Sequence, residues 1–287
     1  SGYGEKGPDK DLPGFDFTAF YARGGILGPL RDKNSLPMLT VQGFGDHQVA
    51  MNLAAGVLAA LFKAKMTGEG DHVVVSLFHS AIWDISLMLQ ASQYGADSTQ
   101  YPMERWKLGN PLVLCYETAD GQWLQIAMPQ YDRHYPILMN AMGYPELADD
   151  ARYYPQKNLI PNREEFSAWI TAEFKKKTCD EWCKLLDAND LPYAIAQEWD
   201  SLLEDKQAWA SDCFYEMSYS NGNKRTLVRP PVLFDQMGLP PYERGPYLGE
   251  QTKDILGELG YSAEAIDELI KSGAAIDMDP VSYTHLR

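Results

Sequence analysis

Apolar positions are spread unevenly along the chain, and their spacing divides it. Residues 1–45 are interrupted by Gly-Pro at 7–8 and 28–29 and Leu-Pro at 12–13 and 36–37, which predicts loops around one short helix, roughly Phe15 to Gly24. From 47 to 65, Ala, Leu, Met and Val recur on every side of a helical wheel. That pattern predicts a helix buried all round, stopped by Thr67–Gly70 (TGEG). The β-branched run Asp71 to Leu77 predicts a buried strand, and Phe78 to Tyr94 a second apolar helix. Helix, strand and helix in that order fit the end of a layered α/β domain over residues 1–95.

The pattern changes at 96–111, where Gly, Asp, Ser and Pro predict a linker ending in Gly109-Asn110-Pro111. Alternating runs at Leu112 to Glu117 and Gln122 to Met128, joined through Ala119-Asp120-Gly121, predict a hairpin. Helical spacing follows at about 131–142, 162–176, 179–188 and 199–211. Asn162 with Glu165 and Thr178 with Glu181 read as capping boxes, and Lys175–Lys177 as a helix end that complements the dipole. Tyr215–Tyr219, a turn at Asn221-Gly222 and Arg225–Val228 predict another hairpin. Residues 112–228 therefore read as a small α+β domain. Pro230-Pro231 opens a return segment, 229–279, with helices near Glu250–Leu259 and Ala263–Lys271, the latter capped by Ser262, expected to pack back on the first domain.

Composition narrows the function classes. A net charge of −15 and a pI near 4.7 leave no surplus of Lys and Arg to neutralise phosphates, so nucleic acid and anionic membranes are not expected partners. No uninterrupted apolar run approaches the ~20 residues of a membrane span. The four cysteines (Cys115, Cys179, Cys183, Cys213) are too irregular for a disulfide framework. Cys179 and Cys183 can share a helix face, but no second pair completes a zinc site, so no metal is expected, and a reducing cytoplasm is.

The residue that carries chemistry is Asp46, in Gly43–Gln48 (GFGDHQ) at the head of the apolar helix. An Asp at such a place is ordinarily an N-cap. The alternative is a nucleophile. Gly43 and Gly45 clear space for close backbone approach, and the helix start offers N–H groups for an oxyanion. His47 reads either as a proton donor or substrate contact, or as a first-turn residue whose ring bonds a nearby carbonyl. His79 reads as structural, and His72 and His134 have no constellation around them.

The order of these segments adds to that reading. It runs Gly2–Asp16 (GYGEKGPDKDLPGFD), Thr18–Gly25 (TAFYARGG), Gly43–Gln48, Leu53–Gly56 (LAAG), Thr67–Gly70, Val73–Leu77 (VVVSL) and His79–Trp83 (HSAIW). Ala194–Gln197 (AIAQ), Leu202–Asp205 (LLED) and Gln207–Ala210 (QAWA) follow. Together they resemble the family III (CaiB/BaiF-type) CoA-transferases, nearest those that activate 2-hydroxy acids such as 2-hydroxyisocaproate and phenyllactate. The resemblance runs to about Ala275. It implies an α/β fold: the C-terminal part of a Rossmann-like CoA-binding large domain plus a smaller α+β domain, in an interlocked homodimer. It places the nucleophile at Asp46, with Gly43, Gly45, His47 and Gln48 holding oxyanion or substrate. Lys10 and Phe15 come near CoA, and Gly109 and Asn110 lie on an active-site loop. A CoA thioester is then a substrate, and no permanently bound cofactor is expected.

The same resemblance implies further chain ahead of Ser1, so residues 1–287 read as a fragment expected to be inactive alone. Residues 280–287, with His285, resemble a translated sequencing adapter and read as a foreign tail. Two rival readings are an inactive CoA-binding or dimerisation chain and an α-methylacyl-CoA racemase on the same fold. The racemase needs a His where Gly14-Phe15-Asp16 has Phe15, and a phenyl ring moves no proton. The apolar residues Trp83, Met88, Tyr94 and Trp106 are candidates for a substrate pocket and equally for core. The setting implied for the whole is amino-acid fermentation.

Overall fold

The computed structural model describes residues 1–95, 101–219, 222–238 and 242–277. Outside them lie residues 96–100 of the expected linker, Asn221 of the expected turn, residues 278–279 of the return segment and the tail 280–287. The chain forms two compact units, Ser1–Ala196 and Gln197–Arg287. The division therefore falls at 196/197 rather than at the expected 111/112 and 228/229.

The first unit opens with loops and a π-helix, Asp16–Ala22, followed by α1 (Phe44–Thr67). A small core of Ala19, Phe20, Tyr21, Ile26, Leu77 and Ala81 joins the π-helix to α2 (Leu77–Asp84). The expected second helix is broken. Backbone at Ile85 (φ −95, ψ 7) leaves helical geometry, so α2 gives way to α3 (Ser86–Ala91) and a 3-10 turn, Ser92–Tyr94.

Two expectations fail here. α1 is not buried: only Gly45 is, while Phe44, Met51, Leu53, Val57, Leu58, Leu61, Phe62 and Met66 stand exposed. Its helical neighbours in this unit, α2 and the π-helix, cover one side, whereas its apolar residues run all round. It is also longer than the apolar run read from sequence. At 24 residues with a window of mean hydropathy 1.4, α1 is long and apolar enough to cross a membrane, although length and composition do not show insertion. Second, residues 71–77 form no strand. A strand needs a hydrogen-bonded neighbour, and among the described residues the only neighbouring segment that bonds to the backbone of this run is the first two residues. Ser1 N donates to Val75 O (3.2 Å), Leu77 N to Ser1 O (3.1 Å) and Phe78 N to Gly2 O (3.0 Å).

The main core lies in 112–195. β1 (Cys115–Glu117) and β2 (Trp123–Ile126) form the expected hairpin, with Tyr116 opposite Leu124. A third strand, β3 (Tyr193–Ile195), pairs antiparallel with β2; three residues after Leu191-Pro192 were too short a pattern to read as a strand. α4 (Tyr131–Met142), α5 (Gln156–Leu159), α6 (Arg163–Phe174) and α7 (Cys179–Ala188) belong to the same region. Trp182, Phe174, Tyr131, Tyr135, Phe166 and Leu124 are almost wholly buried at its centre. Tyr116 stacks on Phe174 at 4.6 Å, and Trp182 Nε1 donates to Phe174 O at 2.8 Å. Burial pushes the Cys179 thiol up to about 11, with the Cys183 thiol beside it adding to the rise.

The box at Thr178 forms in full. Thr178 Oγ1 accepts from Glu181 N (3.3 Å) and Glu181 Oε2 from Thr178 N (2.8 Å). Thr178→Ala is therefore expected to lower stability by about 1 kcal/mol in a urea melt, with no change in the slope. The box at Asn162 does not form. Asn162 Nδ2 donates to Arg152 O (2.9 Å), and Glu165 accepts instead from Tyr153 OH (2.8 Å). The lysines after α6 make specific contacts: Lys175 pairs with Glu117 at 2.7 Å, Lys176 with Glu173, and Lys177 lies over the Trp182 ring.

In the second unit the expected helix at 199–211 is two, α8 (Trp199–Leu203) and α9 (Lys206–Ala210), because Asp205 accepts from Ala208 N (2.8 Å) and starts a new helix. β4 (Phe214–Ser218) pairs with β5 (Lys224–Val228). α10 (Thr252–Glu258) and α11 (Ala263–Lys271, capped by Ser262) follow. Arg244 donates to Glu250 (2.8 Å) and holds its carboxyl down at about 2 from an ordinary 4.5. What this pair contributes is present above pH 4.5 and fades as pH falls toward about 2.

Candidate functional site

The start of α1 is built differently from a simple capped helix. Its N-cap is Gly43, at φ +82, a left-handed backbone that glycine adopts without strain. Phe44, Gly45 and Asp46 are then the first three helical residues. Asp46 is thus not the N-cap, and its exposed carboxylate is not used to cap the helix. The helix begins earlier than the expected 47, so Asp46 stands on the first turn rather than ahead of it.

The turn is held from beneath by the π-helix. Gly45 N donates to the buried carboxylate Oδ1 of Asp16 at 3.0 Å. The ring of Phe20 lies so close to Gly45 that a Cβ there would come within 2.3 Å of it. Phe44 packs on Phe20 and Tyr21, with ring centroids 6.4 and 6.2 Å away, and Tyr21 OH donates to Val41 O at 3.3 Å. His47 N closes the first helical bond, to Gly43 O at 2.9 Å. The Asp46 N–H makes no hydrogen bond among the described residues, which leaves a donor beside the carboxylate.

Of the expected site residues, Gly43, Gly45, Asp46, His47 and Gln48 are brought together by this one turn. The ring of His47 is exposed and makes no hydrogen bond among the described residues, so the expected bond to a carbonyl is absent there. Gln48 Nε2 donates to Asp84 Oδ1 at 3.0 Å and ties α1 to α2. One helical turn on, Asn52 Nδ2 donates to Ser80 Oγ at 2.9 Å. Asp84 also lines a cavity of about 410 Å³ with Gly25, Leu30, Ile85, Met88 and Tyr101. Met88 falls on this cavity's wall, one of the two readings left open for it, whereas Trp83 borders a different one with His79 and Asn52.

The remaining expected residues are not drawn into the α1 turn. Phe15 caps the π-helix and is exposed. Lys10 stands in an exposed loop, 3.8 Å from Asp11. Gly109 and Asn110 are tied down: Gln156 Nε2 donates to Gly109 O (3.0 Å), Asn110 Nδ2 to Met128 O (3.0 Å), and Leu112 N to Asn110 Oδ1 (2.9 Å). Among the described residues no cluster of His, Cys, Asp or Glu can hold a metal ion. Sequence reasoning missed Asp84, which had no signal, and the cap made by Asp16. Asp16 stands in Gly14-Phe15-Asp16, a segment that carries the resemblance, but nothing local marks it as a cap for a helix start 29 residues on.

The cinnamoyl-CoA:phenyllactate CoA-transferase of Clostridium sporogenes is 48% identical over 272 residues, covering 94% of this chain and 66% of that protein. The (R)-2-hydroxy-4-methylpentanoate CoA-transferase of Clostridioides difficile is 40% identical over 266 residues, 93% of this chain and again 66% of the relative. The chain therefore spans just under two thirds of the length of these relatives. In fold it is similar to a CAIB/BAIF family protein from Brucella suis, with a TM-score of 0.70 at 22% identity over 90% of this chain and 66% of that one. The family model for CoA-transferase family III matches residues 1–252, and with these two relatives it establishes that the chain belongs to that family.

Proposed function

We propose that the protein moves CoA from an acyl- or enoyl-CoA to a 2-hydroxy carboxylic acid with an apolar side chain, using Asp46 as a covalent nucleophile. The observation that carries this is the exposed, uncapping carboxylate of Asp46 on the first turn of α1, beside its own N–H, which has no partner among the described residues.

Exchanging one thioester for another changes little free energy overall, so the task is to lower the barrier, and a carboxylate does so by splitting the exchange into steps. Asp46 attacks the thioester carbonyl and expels CoA thiolate, leaving a mixed anhydride. The thiolate attacks the Asp46 carbonyl of that anhydride, releasing the donor acid and forming an aspartyl-CoA thioester. The acceptor carboxylate then attacks the thioester and expels the thiolate again. Attack of the thiolate on the acceptor carbonyl of the second anhydride gives the new acyl-CoA and restores Asp46. Each step passes through an oxyanion, for which N–H groups at the start of α1 are suitable donors.

CoA enters and leaves as substrate, and the reading needs no resident cofactor. Its partners are an acyl-CoA, a small carboxylic acid and a second copy of the chain. The acid class is supported by the two relatives, whose names carry aromatic and branched 2-hydroxy acids. The mostly apolar cavity by Met88 and Ile85 has room for such a side chain. Phe15, where a racemase needs a proton carrier, speaks against isomerisation at the α-carbon.

The test is a CoA-exchange assay on the full-length gene product, with cinnamoyl-CoA as donor and phenyllactate, 2-hydroxy-4-methylpentanoate, lactate and malate as acceptors. Transfer to the first two at rates at least about tenfold above the others is expected. Deuterium uptake at the α-carbon of a 2-methylacyl-CoA, without transfer, would replace this reading with the racemase.

A further inference from the structure

Asp16 is a buried carboxylate that the exchange chemistry does not use. It is 6% exposed, Oδ1 accepts from Gly45 N at 3.0 Å, and Oδ2 is buried with no partner among the described residues. The bond joins segments 29 residues apart.

Its place beneath the start of α1 explains what it does. A helix start leaves N–H groups that the N-cap side chain ordinarily satisfies at the second or third helical residue. Here the N-cap is Gly43, which has no side chain, and the second helical N–H belongs to Gly45. A carboxylate on the third residue, Asp46, is the nearest local group that could compete for these donors. Asp16 takes the Gly45 N–H instead, from a different segment.

We propose that Asp16 is a positioning residue, a cap supplied to α1 from beneath, which fixes the first turn and leaves the Asp46 carboxylate free to act as nucleophile. The π-helix is the device that delivers it. Asp16 is the first residue of that helix, and Phe20 follows it to the same spot: a Cβ on Gly45 would lie 2.4 Å from Asp16 Oδ1 and 2.3 Å from Phe20 Cγ. Wide turns of this kind are rare and concentrate at functional sites. The N-terminal end of α1 also favours a negative charge at this position. The inference rests on Asp46 being the nucleophile.

The experiment uses the full-length gene product with cinnamoyl-CoA and phenyllactate. Asp16→Asn keeps a carbonyl oxygen for Gly45, and Asp16→Ala removes it. For Asp16→Ala the expected result is kcat lower by about 10²-fold, the penalty of a nucleophile misplaced by about 1 Å, with KM for the acyl-CoA within about threefold. The rate at which the covalent adduct appears on Asp46, read by intact-protein mass, falls in parallel. Asp16→Asn is expected within about tenfold of wild type on both readouts.

A folded Asp16→Ala protein with wild-type kcat overturns the proposal. So does a large rise in KM shared by both variants, which marks a ligand contact instead. If Asp16→Ala does not fold, Asp16→Ser, whose oxygen is withdrawn from Gly45, decides by the same kcat criterion. Failure of the underlying reading looks different, because an Asp46→Ala protein that still turns over removes the nucleophile whatever Asp16 does.

Discussion

In the full-length gene product, Asp46→Asn is expected to fold as the wild type does and to lose roughly 10⁴-fold in CoA transfer, about 5.5 kcal/mol of transition-state stabilisation. Folding is spared because the side chain is exposed and the helix is capped by other residues. The loss of a first-turn charge costs at most about 1 kcal/mol. Activity is not spared, because an amide keeps the shape of the carboxylate and lacks its nucleophilic oxygen. Incubation with cinnamoyl-CoA should add an acyl- or CoA-sized mass to the wild type and none to the variant. Quenched-flow sampling followed by peptide mapping would place that mass on the peptide holding Gly43–Gln48. If Asp46→Asn retains transfer within about tenfold of the wild type, covalent catalysis at this residue is excluded.

The six residues Gly43–Gln48 alone read Asp46 as an N-cap or a nucleophile, and it is the resemblance carried by the surrounding segments that favours the second. The geometry that makes Asp46 usable was not legible in the sequence. Nothing local announces that Gly43, rather than Asp46, is the cap; that depends on a hydrogen bond from a segment 29 residues away. The hairpin of β1 and β2, the box at Thr178 and the helices α4, α6 and α7 followed from local pattern, since the period of each, and for α7 the cap as well, is complete within its own segment. The run Val73-Val74-Val75 shows the opposite case. Its β-branched residues favour extended backbone, but a strand is a pairing, and the pairing partner is not in the pattern. α1 shows the same dependence on tertiary context. Its uniform apolarity predicts burial all round, but the neighbours it has in this unit cover one side only. Asn162 and Glu165 matched the capping template, yet Arg152 and Tyr153 offered each a better partner.

Gly45→Ala should cost both stability and activity, against what helix propensity alone predicts. Gly45 lies inside a helix without a positive φ, and there Ala is better than Gly by about 1 kcal/mol. The added methyl, however, would sit 2.3 Å from Phe20 Cγ and 2.4 Å from Asp16 Oδ1, both impossible distances. Neither neighbour can simply swing aside. Phe20 is 1% exposed and packed edge-on against Tyr21 at 5.5 Å, and Asp16 is itself buried. The α1 turn must therefore lift away from the π-helix, which breaks the Gly45–Asp16 bond and carries Asp46 with it. An overpacking cost of about 1–3 kcal/mol is expected in place of the propensity gain. A shift near 1 Å at the nucleophile removes about 10²-fold of the rate. Trimming the obstacle separates the two causes. Gly45→Ala combined with Phe20→Ala, which removes the clashing Cγ and Cδ1, should be less destabilised than the sum of the single changes, a coupling of about 1 kcal/mol or more in denaturant melts, with part of the rate restored. Additive single changes, or a Gly45→Ala protein as stable and active as the wild type, would show that α1 is not seated on Phe20 and Asp16 in solution. In that case the close packing of this glycine would not be what orients Asp46.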